Sequence, residues 1–225
     1  MPVFLLGPEI VFPPVESGRE DGLLAVGGDL SAPRLELAYK SGIFPWYSEG
    51  EPVLWWSPDP RFVLRPEHVH TSKAMRRVLR SDRFIVTSNQ AFEQVVLACA
   101  DMPRPGQAGT WITPEMRDAY LQLHERGLAH SVETWHDGEL VGGLYGVASG
   151  TCFCGESMFS KKPDASKAAL LTLCPELLAR GFDLIDCQVH TPHLESLGAE
   201  FMPRAKFLRH LHNGDAPSFP TMMPH

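Results

Sequence analysis

The chain has 225 residues, 44% of them hydrophobic and 21% charged, with 20 prolines, 19 glycines and a net charge of −7. That is enough chain for one large domain or a domain with a smaller partner, and the composition excludes a coiled coil, collagen or a disordered chain. Five scattered cysteines argue against a disulfide framework, and no apolar run approaches the length of a membrane helix. A chain of the reducing cytoplasm, with no membrane association, is therefore expected.

Ten of the 20 prolines fall within the first 66 residues. Proline removes an amide donor and restricts the residue before it, so this part reads as short strands and turns rather than long helices. A small, aromatic-rich N-terminal domain over 1–62 is expected. From Thr71 or Ser72 a capped helix follows, with Met75, Val78 and Leu79 on one face and Lys73, Arg76, Arg77 and Arg80 on the other. A strand over 84–87 and a helix over 90–100 come next, then a Pro/Gly loop over 102–109. Thr113-Pro114-Glu115 opens a helix that runs to Arg126 and stops at Gly127. A three-stranded meander is read over 131–135, 140–148 and 151–159, with a turn at Asp137-Gly138. Asp164 is expected to cap a helix over 165–180 closed by Gly181, and a strand over 182–189 follows. Antiparallel strands, a crossover helix and a returning strand predict an α+β fold, a mixed sheet flanked by helices, in a domain over 63–225.

The window 61–83 holds seven of the 20 basic residues, including Arg83, against Glu67 and Asp82 only, a local excess of cations in an acidic chain. Four cations striped down two helical turns suit a solvated face or a phosphate backbone. Beside them in sequence, Phe44, Trp46, Tyr47, Trp55 and Trp56 suit either a platform for stacked bases or an aromatic plug between domains, the plug being favoured for Trp55-Trp56.

Asp186 in the apolar strand Phe182–Val189 is the informative anomaly, with Gln188 two residues on and so on the same face. A desolvated carboxylate moves toward the range useful for proton transfer; an Asp that merely accepts turn amides is the bland alternative. Glu156 is similar, sharing a strand face with Met158 and Ser160, either in a site with Asp186 or at a solvated edge. His190 with His193 and His210 with His212 lack the company a zinc site needs, and no metal is expected. Nucleophile-elbow, dinucleotide and P-loop signatures are absent.

The words Gly22-Leu-Leu-Ala-Val-Gly-Gly-Asp-Leu30, GIFPWY, LWWSPDPR, Gly109-Thr-Trp-Ile-Thr113, LVGGLYG, GESMFS, Ala165-Ser-Lys167 and Ile185-Asp-Cys-Gln188 appear in order. In them the sequence resembles the leucyl/phenylalanyl-tRNA protein transferases. The resemblance implies transfer of Leu, Phe or Met from aminoacyl-tRNA to the N-terminal Arg or Lys of a protein, creating a degradation signal. It implies an acetyltransferase-like (GNAT-like) catalytic domain, no cofactor and a monomer. Asp186 and Gln188 are then the catalytic pair. Leu144, Met158, Leu170, Leu173 and Ile185 would enclose the donor side chain. Tyr39, Trp46, Trp111 and Tyr120 would lie near the 3′ adenosine, with Glu156 and Ser160 helping to position donor or acceptor. Lys73, Arg76, Arg77, Arg80 and Arg83 would meet the tRNA backbone. Leu144 and Leu173 stand where relatives often have Met and Phe, and Thr191-Pro192-His193 where they often have Asn-Asp-His. A silent RNA- or peptide-binding module and a coenzyme A acetyltransferase are the competing readings. Retention of Asp186 and Gln188 disfavours the first, and the missing pyrophosphate loop the second.

Overall fold

A computed structural model describes residues 3–102 and 110–223. Of the Pro/Gly loop expected over 102–109, all but Met102 lies outside the described residues. The N-terminal part builds a small sheet from β1 (Phe4–Leu6), β2 (Leu23–Gly27), β3 (Phe44–Pro45) and β4 (Leu54–Trp56), in the order β1-β2-β4-β3. It also contains a helix the proline count argued against, α1 (Ala32–Lys40). Pro33 does not break it, because a proline in the first turn gives up an amide that has no helical partner anyway.

The second sheet has seven strands: β5 (Arg61–Leu64), β6 (Ile85–Ser88), β7 (Ala129–His136), β8 (Glu139–Ser149), β9 (Cys152–Ser160), β10 (Leu184–Gln188) and β11 (Glu200–Met202). Their order is β11-β5-β10-β9-β8-β7-β6. β6 through β9 run antiparallel, and β10 lies parallel to β9 on one side and antiparallel to β5 on the other. Helices α2 (Lys73–Leu79), α3 (Phe92–Asp101), α4 (Pro114–Glu125), α5 (Ala165–Arg180), α6 (Pro192–Ser196) and α7 (Arg204–Leu211) complete the chain. The expected α+β architecture, a mixed sheet flanked by helices, is present.

Local chemistry explains the boundaries. Ser72 Oγ accepts the Met75 amide at the start of α2, and Thr113 Oγ1 accepts the Met116 amide at the start of α4. Gly181 ends α5 at φ 93°, a left-handed turn that glycine adopts without strain. Asp164 departs from expectation: it precedes α5 at φ 72°, and its carboxylate caps nothing. A side chain on Gly142 would come within 2.5 Å of Ala165 Cβ, so the glycine at this point of β8 lets the start of α5 lie directly on the sheet.

One core runs between the two sheets. It joins Leu24, Leu35, Tyr39 and Trp55 of the N-terminal part to Val95, Met116, Tyr120 and Tyr145 of the larger sheet and its helices. Trp55 is fully buried, donates its indole N–H to the Gly27 carbonyl and meets Phe12 edge-on. It is a packing residue, whereas Trp56 is half-buried and lies against Trp46, donating its indole N–H to the Trp46 carbonyl.

Candidate active site

The site forms where the ladder between β9 and β10 gives out. The two strands pair from Leu184 opposite Cys152 to Asp186 opposite Cys154, and no further. Each strand is irregular at that point. In β9, Ser157 pairs with Tyr145 and Gly155 with Gly146, which leaves Glu156 as the extra residue of a bulge. A side chain at Gly146 would strike the Cys154 carbonyl and the Phe153 ring, so only glycine lets the bulge sit there. In β10 the register against β5 slips between Asp186 and Gln188, and Gln188 is left-handed at φ 57°. Strict alternation, from which a shared face was expected, does not hold over Asp186–Gln188. The bulges aim Asp186, Gln188 and Glu156 at one spot.

The three groups are held from below. Asp186, about 1% exposed, receives Arg61 Nε on Oδ1 and Arg61 Nη2 on Oδ2, both at 2.8 Å. The Gln188 backbone amide also donates to Asp186 Oδ1, at 2.9 Å. Burial acts to lower the Arg61 pKa, but the Asp186 carboxylate more than offsets it and holds the guanidinium above its ordinary value. Asp186 is therefore buried, as its place in an apolar strand suggested, but not isolated. It is one half of a buried fork-to-fork ion pair.

Glu156 is the carboxylate with no cation bonded to it. Its Oε1 receives Gln188 Nε2 at 3.1 Å and its Oε2 receives the Tyr120 hydroxyl at 2.7 Å. Tyr120 in turn lies 2.5 Å from the Tyr39 hydroxyl. Desolvation pushes the Glu156 carboxyl up to about 7, against the pull of the two tyrosine hydroxyls and Arg61. Burial also raises both tyrosines well above their usual value, so they stay protonated and serve as donors.

Above this floor opens a pocket of about 560 Å³. Of the five residues expected to enclose the donor side chain, Leu144, Met158, Leu170 and Ile185 line this pocket; Leu173 is fully buried and does not. Trp46 and Trp111 stand on the lining, Trp46 with 37% of its surface exposed. Tyr39 and Tyr120 do not line it. Both rings lie in the core, so neither offers a face to a base, and what they bring to the site is the hydroxyl chain behind Glu156. Ser160 lies outside the lining too, its hydroxyl tied to the Lys162 carbonyl and the Ser166 amide at the start of α5.

His193 lines the mouth, where burial and the nearby Lys167 hold its imidazole below its usual pKa and so neutral near pH 7. Thr191 caps α6 through the Leu194 amide and so fixes the His193 backbone. His190 is exposed and does not line the pocket; it lies edge-on to Phe62 and is bonded to Glu195 at 3.0 Å. Sequence reasoning missed Arg61, whose partner is 125 residues away. It also missed Leu64, Phe153 and Leu194 of the lining, and placed Phe44 in an aromatic cluster without foreseeing that it borders the pocket. The basic excess over 61–83 includes Arg61, but nothing local distinguishes it from its exposed neighbours.

Lys73, Arg76, Arg77 and Arg80 come together as expected, exposed along a shallow hollow of about 530 Å³ that ends at Ser81. Arg83 is apart from them: it lies over the Phe84 ring and reaches the Pro163 carbonyl, beside a separate hollow with Trp135. Among the described residues no group of three or more His, Cys, Asp or Glu side chains could hold a metal ion, and no helix is long and apolar enough to cross a membrane.

An apolar pocket that ends on a fixed polar floor can hold an apolar side chain and present the group attached to it for attack, the layout of a transferase. Comparison with known proteins makes the class specific. Residues 28–59 match the family model for the leucyl/phenylalanyl-tRNA protein transferase N-terminal domain, and residues 63–212 match the model for leucyl/phenylalanyl-tRNA protein transferase. The leucyl/phenylalanyl-tRNA–protein transferase of Syntrophus aciditrophicus is 59% identical over 207 residues, 92% of this chain and 87% of that protein. That of Desulfatibacillum aliphaticivorans is 56% identical over 222 residues, 99% of this chain and 94% of that one. Among solved structures, a GCN5-related N-acetyltransferase from Kribbella flavida aligns over 74% of this chain and 58% of its own, with 12% identity and a TM-score of 0.38. The chain belongs to the leucyl/phenylalanyl-tRNA protein transferase family, a family of aminoacyltransferase enzymes.

Proposed function

We propose that this chain moves Leu, Phe or Met from aminoacyl-tRNA to the N-terminal Arg or Lys of an acceptor protein, as a cytoplasmic monomer, and so marks that protein for degradation. The observation that carries the proposal is the apolar pocket ending on Glu156, Asp186 and Gln188. Its wall suits an unbranched or γ-branched apolar side chain or a phenyl ring, and its floor lies where the ester beside that side chain would sit. We read residues 1–62 and 63–225 as the two domains that meet around this pocket, the second as acetyltransferase-like.

The ester is already activated, so aminolysis needs a neutral amine held against the carbonyl rather than a further energy source. The acceptor nitrogen forms the new bond to the carbonyl carbon, the bond to the 3′ oxygen of the terminal adenosine breaks, and the proton lost by the amine balances the one gained by that oxygen. In this reading Glu156, with a pKa of about 7, takes up the amine proton or draws in the acceptor's cation. Gln188 bridges Glu156 to the reacting centre, and Asp186 holds Gln188 in place. Trp46 and Trp111 are the surfaces left for the terminal adenosine, where stacking is worth about 1–3 kcal/mol. Lys73, Arg76, Arg77 and Arg80 meet phosphates, with Arg83 at the margin.

The test is transfer of labelled leucine from leucyl-tRNA to a peptide beginning with Arg, without ATP or added metal. Transfer, with none to a peptide beginning with Glu, is expected. Binding of tRNA without transfer would favour the silent module, and labelling from acetyl-coenzyme A would favour an acetyltransferase.

A further inference from the structure

Arg61 carries more structure than an ion pair needs. It is about 2% exposed, and its guanidinium carbon lies 4.7 Å from the ring centres of both Phe44 and Phe207. Phe44 belongs to the small N-terminal sheet and to the pocket lining; Phe207 belongs to α7. Three separate parts of the chain therefore meet on one guanidinium that bonds both oxygens of Asp186.

As a source of stability this is a poor arrangement. A buried ion pair roughly breaks even with an apolar replacement, and Arg61 Nη1 is buried with no hydrogen-bond partner. What the arrangement does provide is direction. The planar fork permits one orientation of the Asp186 carboxylate, and Asp186 Oδ1 then receives the amide of Gln188, a residue held left-handed at φ 57°. The Gln188 side chain emerges from that backbone to meet Glu156.

Resting on the proposed transfer reaction, we propose that Arg61 is a positioning residue: gripped by Phe44 and Phe207, it sets the Asp186 carboxylate and, through it, the Gln188 amide against the reacting ester. Arg61 touches no substrate. Its effect reaches the chemistry through the geometry of two other side chains, and filling of the pocket against Phe44 bears on the same guanidinium.

Arg61→Lys separates positioning from charge, because lysine keeps the cation but offers a point rather than a planar fork. In single-turnover transfer of leucine from leucyl-tRNA to an Arg peptide, normalised to folded protein, the rate at saturation is expected to fall about tenfold or more, since small misplacements cost up to about a hundredfold. The half-saturating concentration of leucyl-tRNA is expected to stay within about twofold, as the tRNA-binding surfaces lie elsewhere. Adding Asp186→Asn to Arg61→Lys is expected to cost much less than the product of the two single losses, because both act through Gln188. A saturated rate equal to wild type would overturn the proposal, as would losses that multiply in the double variant. Should Arg61→Lys lower only the folded fraction, with normal turnover per folded molecule, Arg61 is structural and the proposal falls. Failure of the wild type to transfer at all would instead remove the reaction on which the proposal rests.

Discussion

The floor of the pocket and the basic stripe of α2 are opposite solutions to handling charge. On the floor, Asp186 is sealed from water and both its oxygens are committed to Arg61 or a backbone amide. On the stripe, Lys73, Arg76, Arg77 and Arg80 are exposed, and among the described residues none of them forms an ion pair. Buried, partnered charge fixes geometry and is barely screened. Exposed, unpartnered charge fixes nothing and responds to salt. The floor is therefore suited to chemistry, which depends on tenths of an ångström, and the stripe to a polyanion, which needs only a local excess of cations. The same contrast explains how a chain of net charge −7 can present a surface for RNA.

The contrast breaks most visibly at Asp186. Asp186→Ala leaves Arg61 buried without a counter-charge, and a loss of about 3–5 kcal/mol in urea unfolding is expected. Arg76→Ala, on the exposed stripe, is expected to stay within about 0.5 kcal/mol of wild type. Comparable losses at both positions would erase the distinction. Transfer per folded molecule is expected to fall about 100-fold or more in Asp186→Ala, the scale of a missing proton-transfer or orienting group.

The stripe answers to a different measurement. Arg76→Ala with Arg80→Ala is expected to weaken tRNA binding and flatten its dependence on salt, by about 0.7–0.9 in log–log slope for each phosphate that the variant no longer neutralises. Leucine transfer at saturating tRNA is expected to change little. An unchanged slope would take these arginines out of the interface.

The smallest expected effect sharpens the floor itself. Glu156 has a folded pKa raised to about 7 from an ordinary value near 4.5, so its stabilising contribution is complete below the ordinary value and is lost as pH rises through about 7. Glu156→Gln is expected to flatten that part of the stability profile. It is also expected to remove the rise in transfer rate that accompanies Glu156 ionisation, while leaving the later rise caused by the acceptor amine, near pH 7.7–8.0 for an ordinary α-amino group of about that pKa. Identical profiles for wild type and variant would show that Glu156 does not titrate in the working range.

Most of the elements were legible because periodicity and caps are local. Thr113-Pro114, Ser72, Asp137-Gly138 and Gly181 each marked a boundary that the chain uses. The residues of the site were legible as an anomaly of composition, acids in apolar strands, and through the family resemblance, which also supplied the lining residues Leu144, Met158, Leu170 and Ile185. The geometry of the site was not, since it depends on two bulges, one at Glu156 and one between Asp186 and Gln188, and a bulge at a residue other than glycine leaves no mark in the sequence. Arg61 was hidden for a related reason: it sits in a basic stretch whose other cations, along α2, face water. The tyrosines show the converse error. The resemblance put Tyr39 and Tyr120 near the 3′ adenosine, yet their rings are buried and it is their hydroxyls, 2.5 Å apart in the core, that reach the site.

The division of labour between floor and stripe is tested most directly by following single-turnover leucine transfer as salt is raised. The apparent affinity for leucyl-tRNA is expected to fall steeply with salt, while the rate at saturating enzyme stays constant, because the groups that shape it are buried and paired. A saturated rate that falls in step with affinity would contradict the account, and would mean that the exposed cations take part in the chemical step.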